Sequence, residues 1–478
     1  MKGKEASRKR YTETLLIILA ALAIFLLVYS PHFANRFPYH VDEWHHISEA
    51  AKLRQGEYSG GTFGYRAGFH IFLLILSFAF NLVAVYRFLP AVWAVFSALV
   101  LFFAVNRKTS NFWIALFAMV FFASIKSNVN ITGLWFFTPL SFSIPFIFLY
   151  VYFLTEGIEK QDKKSILISL GIMLFVLFVH PISVLFAAPF LLIYALMHLD
   201  YIKKEYKFFS AFLAIPVSGL LFYSYMKKIS IIKAIGSLIK ELQFKYGWGV
   251  LETSNSFFEL YSLIGYLLAV IGIITIFMFS KEIRKYLIYV LWPATVLVLI
   301  IIYKLTGISF LSPYQRNLYY FVISLPLLSA FGLYLILEKI KKLKIPYKKI
   351  ISALLIIIIV FFAFKSYYDL PENLKLYKII DENDYEALLF LSQYPKSTVM
   401  ANHIISTAIY PASGHDTVAQ LFFYGNINET KRFFSSETCK EKQELLDKYD
   451  VKYILSEQEI DCDWNLIYDK ENYIYEVN

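Results

Sequence analysis

The chain has 478 residues, is 58% hydrophobic, has a mean hydropathy of +0.55 and holds 46 Phe and 36 Tyr. A water-soluble protein would not carry repeated, nearly charge-free apolar runs of about 18 residues or more; these read as transmembrane helices. The net charge of +10 is split: from residue 365 onward there are 11 Lys and Arg against 20 Asp and Glu, a charge of −9, so the apolar part carries +19. Such an excess reports membrane topology and argues against a nucleic-acid partner.

Taken in order, the pattern predicts about eleven spans: 12–30, 87–105, 111–125, 134–154, 165–180, 183–198, 207–226, 258–280, 286–303, 317–337 and 349–365. The first follows a basic stretch but precedes no small-residue cleavage site, so it reads as a retained helix rather than a signal peptide. With the N-terminus cytoplasmic, the inner loops hold 22 Lys and Arg in 54 residues and the outer segments hold 13 in 110. That asymmetry satisfies the positive-inside rule. Residues 65–84 are apolar enough to cross, but a crossing would turn the basic loops outward. They are expected to lie in the outer interface. The loop 227–257, with five lysines and Tyr246-Gly-Trp-Gly249, reads as an amphipathic interfacial segment.

The division expected is a transmembrane domain, 1–365, whose first outer loop is 31–86, and an extracytoplasmic α/β domain, 366–478. The tail predicts a helix over 384–393, strands at 398–401 and 451–455, a helix over 439–448, and two short strands around 466–468 and 473–477. The only two cysteines, Cys439 and Cys462, fall there, where a disulfide persists. The sequons Asn130-Ile-Thr and Asn428-Glu-Thr both fall on the outer side.

The polar segment His40-Val-Asp-Glu-Trp-His-His-Ile-Ser-Glu49 follows the first span. Read as a helix, it places Asp42, His45, His46 and Glu49 on one face. An outer carboxylate beside the membrane suits a general base for a sugar or lipid hydroxyl, with Asp42 and Glu43 as candidates. Imidazole with carboxylate also suits a divalent metal, for which Asp42 and His46 would be ligands, although the spacing matches no known zinc motif. His180-Pro181 ends the fifth span. Arg316, at the outer mouth of the tenth, sits on the side that topology disfavours for a cation, and a phosphate is a fitting partner for its guanidinium. The plain readings stay open: an acidic turn for Asp42, a helix cap for His180, a headgroup anchor for Arg316. His403, His415 and Asp416 are read as part of a turn-rich loop. The spans show no paired broken helices and no buried charges, which argues against a transporter.

His40-Val-Asp-Glu-Trp-His-His-Ile-Ser-Glu49-Ala resembles the H-x-D-E…E-A pattern in the first outer loop of the GT-C superfamily of integral-membrane glycosyltransferases, notably the lipid-phosphate-mannose-dependent mannosyltransferases. Tyr65-Arg-Ala-Gly-Phe-His70 sits where those proteins place a second juxtamembrane helix; Arg87-Phe-Leu-Pro90 is similar to the R-x-L-P opening of the following span in the protein O-mannosyltransferase and aminoarabinose-transferase branches, and Tyr314-Gln-Arg316 through Pro326 resembles their late arginine followed by a Pro-Leu helix. The resemblance implies a polytopic α-helical GT-C-like membrane fold and a polyprenyl- or dolichyl-phosphate sugar donor. It implies Asp42 as base with Glu43 second, and Arg316, His180 and Arg66 toward the donor phosphate. His45, His46, Glu49, His70 and Tyr314 would line the substrate site, and the acceptor would be a glycan, lipid or protein. No cofactor is firmly implied; Mg²⁺ or Mn²⁺ would enter through the alternative, a metal-dependent lipid-diphosphate oligosaccharide transferase. The second outer loop lacks the Asp that many relatives carry there, and the tail lacks the Trp-Trp-Asp-Tyr-Gly motif of oligosaccharyltransferases.

Overall fold

A computed structural model describes residues 2–57, 66–127, 133–245, 260–279, 283–365, 378–421 and 424–477. The chain divides into two compact units. The first comprises Met1–Val28, Ala91–Leu134 and Leu140–Asp369; the second comprises Tyr29–Pro90, Trp135–Pro139 and Leu370–Asn478.

The first unit is helical. Among the described residues, five helices are long and apolar enough to cross a membrane: Ser7–Phe33, Leu89–Thr109, Pro139–Lys160, Arg284–Thr306 and Tyr314–Lys342. The other apolar stretches expected as spans are helical too, including Phe112–Ala123, Lys163–Val179, Tyr206–Lys227, Leu263–Phe279 and Lys348–Phe364. Ile18 and Leu22, Ile274 and Phe277, and Ile357 and Phe361 are exposed, an apolar surface that calls for lipid.

One expectation is corrected. Helices are interrupted: one stretch runs as Ile182–Leu185 then Ala188–Leu196, the other as Tyr314–Val322 then Leu325–Lys342. In both, the second piece has a proline (Pro189, Pro326) in its first two positions, where the missing N–H costs nothing but the preceding ladder cannot continue. Outside the predicted spans, the inner loops 106–110 and 156–165 hold buried charge. Lys108 is fully buried, with its Nζ 3.3 Å from Glu156 and 2.5 Å from Glu159, and the Tyr194 hydroxyl donates to Glu159 at 2.6 Å. A loop lysine read only as a topology signal is therefore the centre of a paired cluster.

The core of this unit is built by close helix approach. A Cβ on Gly272 would meet the Leu328 carbonyl at 1.9 Å, and one on Gly332 would meet the Leu268 carbonyl at 2.0 Å. Helices Leu263–Phe279 and Leu325–Lys342 thus touch backbone to backbone, as small residues permit. The Ser329 hydroxyl donates to the Gly265 carbonyl at 2.8 Å beside this crossing. Gln243–Phe244 pairs antiparallel with Ser309–Phe310 and ties two loops of the unit. The neighbouring Ile231–Glu241, within the segment expected to be amphipathic, is a helix, while Tyr246–Gly249 lies outside the described residues.

In the second unit, the stretch expected to lie in the interface forms two short helices, Ala67–Ser77 and Leu82–Tyr86. Eleven residues rise only about 16 Å, against a hydrocarbon core of about 30 Å. The C-terminal part is an α/β sheet in the order Asp416–Thr417, Thr398–Ala401, Val451–Ser456, Tyr473–Glu476, Asn465–Asp469. The first three strands are parallel and the last two antiparallel. Val399 is registered with Tyr453 and Met400 with Ile454. Successive residues face opposite sides of the sheet. Met400 and Ile454 bury with Phe433, Leu445 and Leu446 of helices Ile427–Ser435 and Cys439–Lys448. Tyr453 meets Tyr394 and His415 on the other side.

Cys439 and Cys462 form a disulfide. The loop expected around Tyr410–Asp416 is corrected: Ser406–Ser413 is a helix that runs through Pro411 and stops at Gly414 with φ +79°. Such a φ favours glycine. Asn428 lies in the helix Ile427–Ser435, and Asn130 lies outside the described residues.

Candidate active site

The segment singled out in the sequence becomes the helix Val41–Gln55 of the second unit. Its N-terminus is a capping box. His40 is the N-cap in an extended conformation, and its Nδ1 accepts the Asp42 N–H at 3.1 Å. Glu43 reaches back, its Oε2 accepting from the N–H groups of His40 at 3.0 Å and Tyr39 at 3.1 Å. Its other oxygen accepts the Phe137 N–H at 2.8 Å. Glu43 is 1% exposed. Burial pushes its carboxyl up to about 8, while the N–H bonds from His40, Phe137 and Tyr39 pull it down.

Asp42 differs from its neighbour. Its side chain is 28% exposed, and Oδ2 lies 3.8 Å from His40 Nδ1. Because the single lone pair of that nitrogen is taken by the Asp42 N–H, it carries no proton to donate to the Asp42 carboxylate. The carboxylate also stands in the first helical turn, where the helix dipole favours negative charge.

His46 and His70 are both buried, and His46 Nδ1 lies 2.9 Å from His70 Nε2. The His45 ring is 5.4 Å from that of His46 and 6.5 Å from that of His70. Burial holds His45 down at about 4, with Glu49 and Asp42 pulling up, and His70 and Arg66 pushing down. Glu49 is 4% exposed and 3.5 Å from the Lys52 ammonium. Arg66 sits at the start of the helix Ala67–Ser77. One unit therefore gathers Asp42, His45, His46, Glu49, Arg66 and His70. Sequence spacing grouped those on the first helix; only folding brought in Arg66 and His70. Phe137, whose N–H holds Glu43, carried no signal in the sequence.

His180, Tyr314 and Arg316 belong to the first unit. His180 caps the end of the helix Lys163–Val179. Its Nδ1 is 2.7 Å from the Ser183 hydroxyl, which is 3.0 Å from the Tyr320 hydroxyl. Tyr320 stacks on Phe186 at 3.7 Å and stands one helical turn after Arg316. Ser183 and Tyr320 went unnoticed in the sequence, although their spacings, three from His180 and four from Arg316, were there to read. Tyr314 is buried, stacked on Tyr303 at 4.3 Å with the Lys304 ammonium above its ring.

In the C-terminal part, His415 is a structural tie. Its Nδ1 accepts the Ser397 N–H at 3.2 Å and its Nε2 donates to the Leu391 carbonyl at 3.0 Å. That pattern needs the neutral ring, and burial lowers its pKa accordingly.

Among the described residues, no group of three or more His, Cys, Asp or Glu is arranged to hold a metal ion.

No family model matches the chain, and no curated protein matches it. Solved structures do. An Archaeoglobus fulgidus oligosaccharyltransferase tethered to an acceptor peptide containing the NVT sequon is 13% identical with a TM-score of 0.60, the match covering 94% of this chain and 69% of that one. The same enzyme in complex with Zn and sulfate gives 13%, 0.55, 92% and 68%. ArnT from Cupriavidus metallidurans in the apo state is 10% identical with a TM-score of 0.56, covering 98% of both chains. At such identities the likeness is one of fold, and the fold is the GT-C membrane fold expected from the sequence.

Proposed function

We propose that this chain, a multi-pass protein with the GT-C fold, is a glycosyltransferase that moves a sugar, a hexose such as mannose, from a polyprenyl- or dolichyl-phosphate donor to an acceptor hydroxyl. The GT-C resemblance selects the segment and its Asp-Glu pair; one observation then chooses within the pair. Glu43 is engaged at both oxygens by backbone N–H groups, while the side chain of adjacent Asp42 is partly exposed. That contrast supports Glu43 as a structural tie and Asp42 as the base.

In this reading the reaction is a single displacement with inversion. Asp42 takes the proton of the acceptor hydroxyl as its oxygen attacks the anomeric carbon. The bond from that carbon to the donor phosphate oxygen breaks, and the lipid phosphate leaves with the electron pair. Arg316 is the residue for the phosphate, since a guanidinium fork matches two phosphate oxygens. His180, oriented by Ser183, supports it, and Arg66 adds positive charge. A phosphate leaving group needs little acid assistance, so one base suffices. The N-terminus is cytoplasmic and the C-terminal unit extracytoplasmic, following the basic-residue asymmetry.

A second reading, transfer of an oligosaccharide from a lipid diphosphate, draws support from the oligosaccharyltransferase match. Purified wild type and Asp42→Asn, in nanodiscs, would be incubated with radiolabelled polyprenyl-phosphate and polyprenyl-diphosphate sugars, with and without EDTA. Transfer from a monophosphate donor, unaffected by EDTA and lost in Asp42→Asn, is expected. Activity restricted to diphosphate donors and abolished by EDTA would favour the second reading. Wild-type turnover by Asp42→Asn would remove Asp42 from the role.

A further inference from the structure

The C-terminal sheet has a topological switch point between its two central parallel strands. From strand Thr398–Ala401 the chain passes through the helix Ser406–Ser413 to strand Asp416–Thr417 on one side. It later returns, through helices Ile427–Ser435 and Cys439–Lys448, to strand Val451–Ser456 on the other side. Right-handed crossovers place these two connections on opposite faces and leave a crevice at the carboxyl ends of the two central strands. A cavity of about 260 Å³ lies there, lined by Asn402 just past one strand and by Leu455, Ser456 and Glu457 ending the other.

Its chemistry is specific. Asn472 lines the cavity and is 3% exposed; its Nδ2 donates to Asp384 at 3.0 Å, but its Oδ1 is buried without a hydrogen-bond partner. Such an acceptor is costly to leave unmade. Lys442 also lines the cavity, 9% exposed, its ammonium 5.6 Å over the Phe433 ring, with no carboxylate paired to it among the described residues. Burial lowers its pKa. Glu457 and Gln458 stand exposed at the rim, and Ile405 and Ile460 supply a buried apolar wall.

We infer that this crevice binds a neutral saccharide. The lining combines hydrogen-bond donors and acceptors with an apolar wall. A hydroxyl both donates and accepts, so vicinal hydroxyls satisfy Asn472 Oδ1 and Lys442 together, while the C–H face of a pyranose lies on Phe434 and the aliphatic wall. An anion would meet Glu457 and Glu459 at the rim; a cation would meet Lys442. The volume is below the ~300–1,000 Å³ of pockets for drug-sized ligands and suits one sugar ring. A second cavity of about 280 Å³ shares Asn402 and Phe434 and extends past His403 and Lys431, room for a second ring. The inference does not rest on the transferase reading, because binding is read without donor or turnover.

The test is saturation-transfer NMR on the full chain in nanodiscs with millimolar glucose, mannose, galactose and N-acetylglucosamine, beside inorganic phosphate competition. Two variants are compared with wild type: Asn472→Leu, which deletes the buried acceptor, and Gln458→Trp, which blocks the mouth from an exposed position that packing does not need. At least one neutral sugar should give a signal that phosphate does not displace and that both variants weaken by about tenfold. If Asn472→Leu proves unfolded, Gln458→Trp decides alone. No signal from any sugar overturns the inference. So does a signal that Gln458→Trp leaves intact, which locates the sugar elsewhere, or one that phosphate removes.

Discussion

The Glu43 carboxylate accepts the Phe137 N–H at 2.8 Å across a separation of 94 residues. With its bonds from Tyr39 and His40, it ties the start of the helix Val41–Gln55 to the segment Trp135–Pro139 of the same unit. The Phe137 carbonyl in turn accepts the Tyr86 hydroxyl at 2.5 Å. The orientation of Asp42, one residue earlier, is inherited from this clamp.

Glu43→Gln should therefore destabilise. With its oxygen toward His40 and Tyr39, the amide would set its own donors against the Phe137 N–H, costing about 1–3 kcal/mol. The pH profile gives a second reading. The folded carboxyl is raised to about 8, above its unfolded value of about 4.3, so the folded state binds the extra proton between these values. Stability from this group is fully present below about pH 4 and is lost as pH rises through 8. Thermal melts from pH 5 to 8.5 should show a downward slope in wild type that Glu43→Gln lacks; identical slopes would refute the clamp's protonation.

Replacing Arg316 by Lys keeps the charge and loses the fork. If it holds the donor phosphate, Arg316→Lys should raise the KM for lipid-phosphate sugar by roughly tenfold while the melting temperature stays close to wild type. An unchanged KM would return Arg316 to the headgroup-anchor reading.

The Gly272–Gly332 crossing predicts a sharp contrast. Gly332→Ala would drive a methyl group into the Leu268 carbonyl, and Gly272→Ala would do the same at Leu328. Each should cost about 1–3 kcal/mol, since backbone must shift. Gly171→Ala, where nothing lies within 4 Å of the new Cβ, should be neutral or slightly stabilising in its helix interior. Melting in detergent of the three variants is the measurement, and equal behaviour would rule out the backbone contact.

The disulfide Cys439–Cys462 closes a loop over a separation of 23 residues between a helix and the chain after strand Val451–Ser456. Replacing both cysteines by Ser should lower the stability of the C-terminal part by about 3 kcal/mol. Protease sensitivity there, with and without reductant, reports it; a resistant double variant would contradict the prediction.

Composition and period alone determined a great deal. Long apolar runs can satisfy their backbone in a membrane only as helices, so the helical stretches were legible without any partner. Helix Cys439–Lys448 was legible from its amphipathic pattern, and strand Thr398–Ala401 from a short apolar run bounded by polar residues. The face carrying Asp42, His45, His46 and Glu49 likewise follows from 3.6 residues per turn. What distinguishes Asp42 from Glu43 does not. Both are carboxylates in one first turn, and only the arrival of the Phe137 N–H makes one a clamp and leaves the other partly open. The meeting of His46 with His70, and of His180 with Ser183 and Tyr320, is likewise tertiary. So is the burial of Lys108 between Glu156 and Glu159, because a local pattern sets which face a side chain shares but not what the chain folds against it.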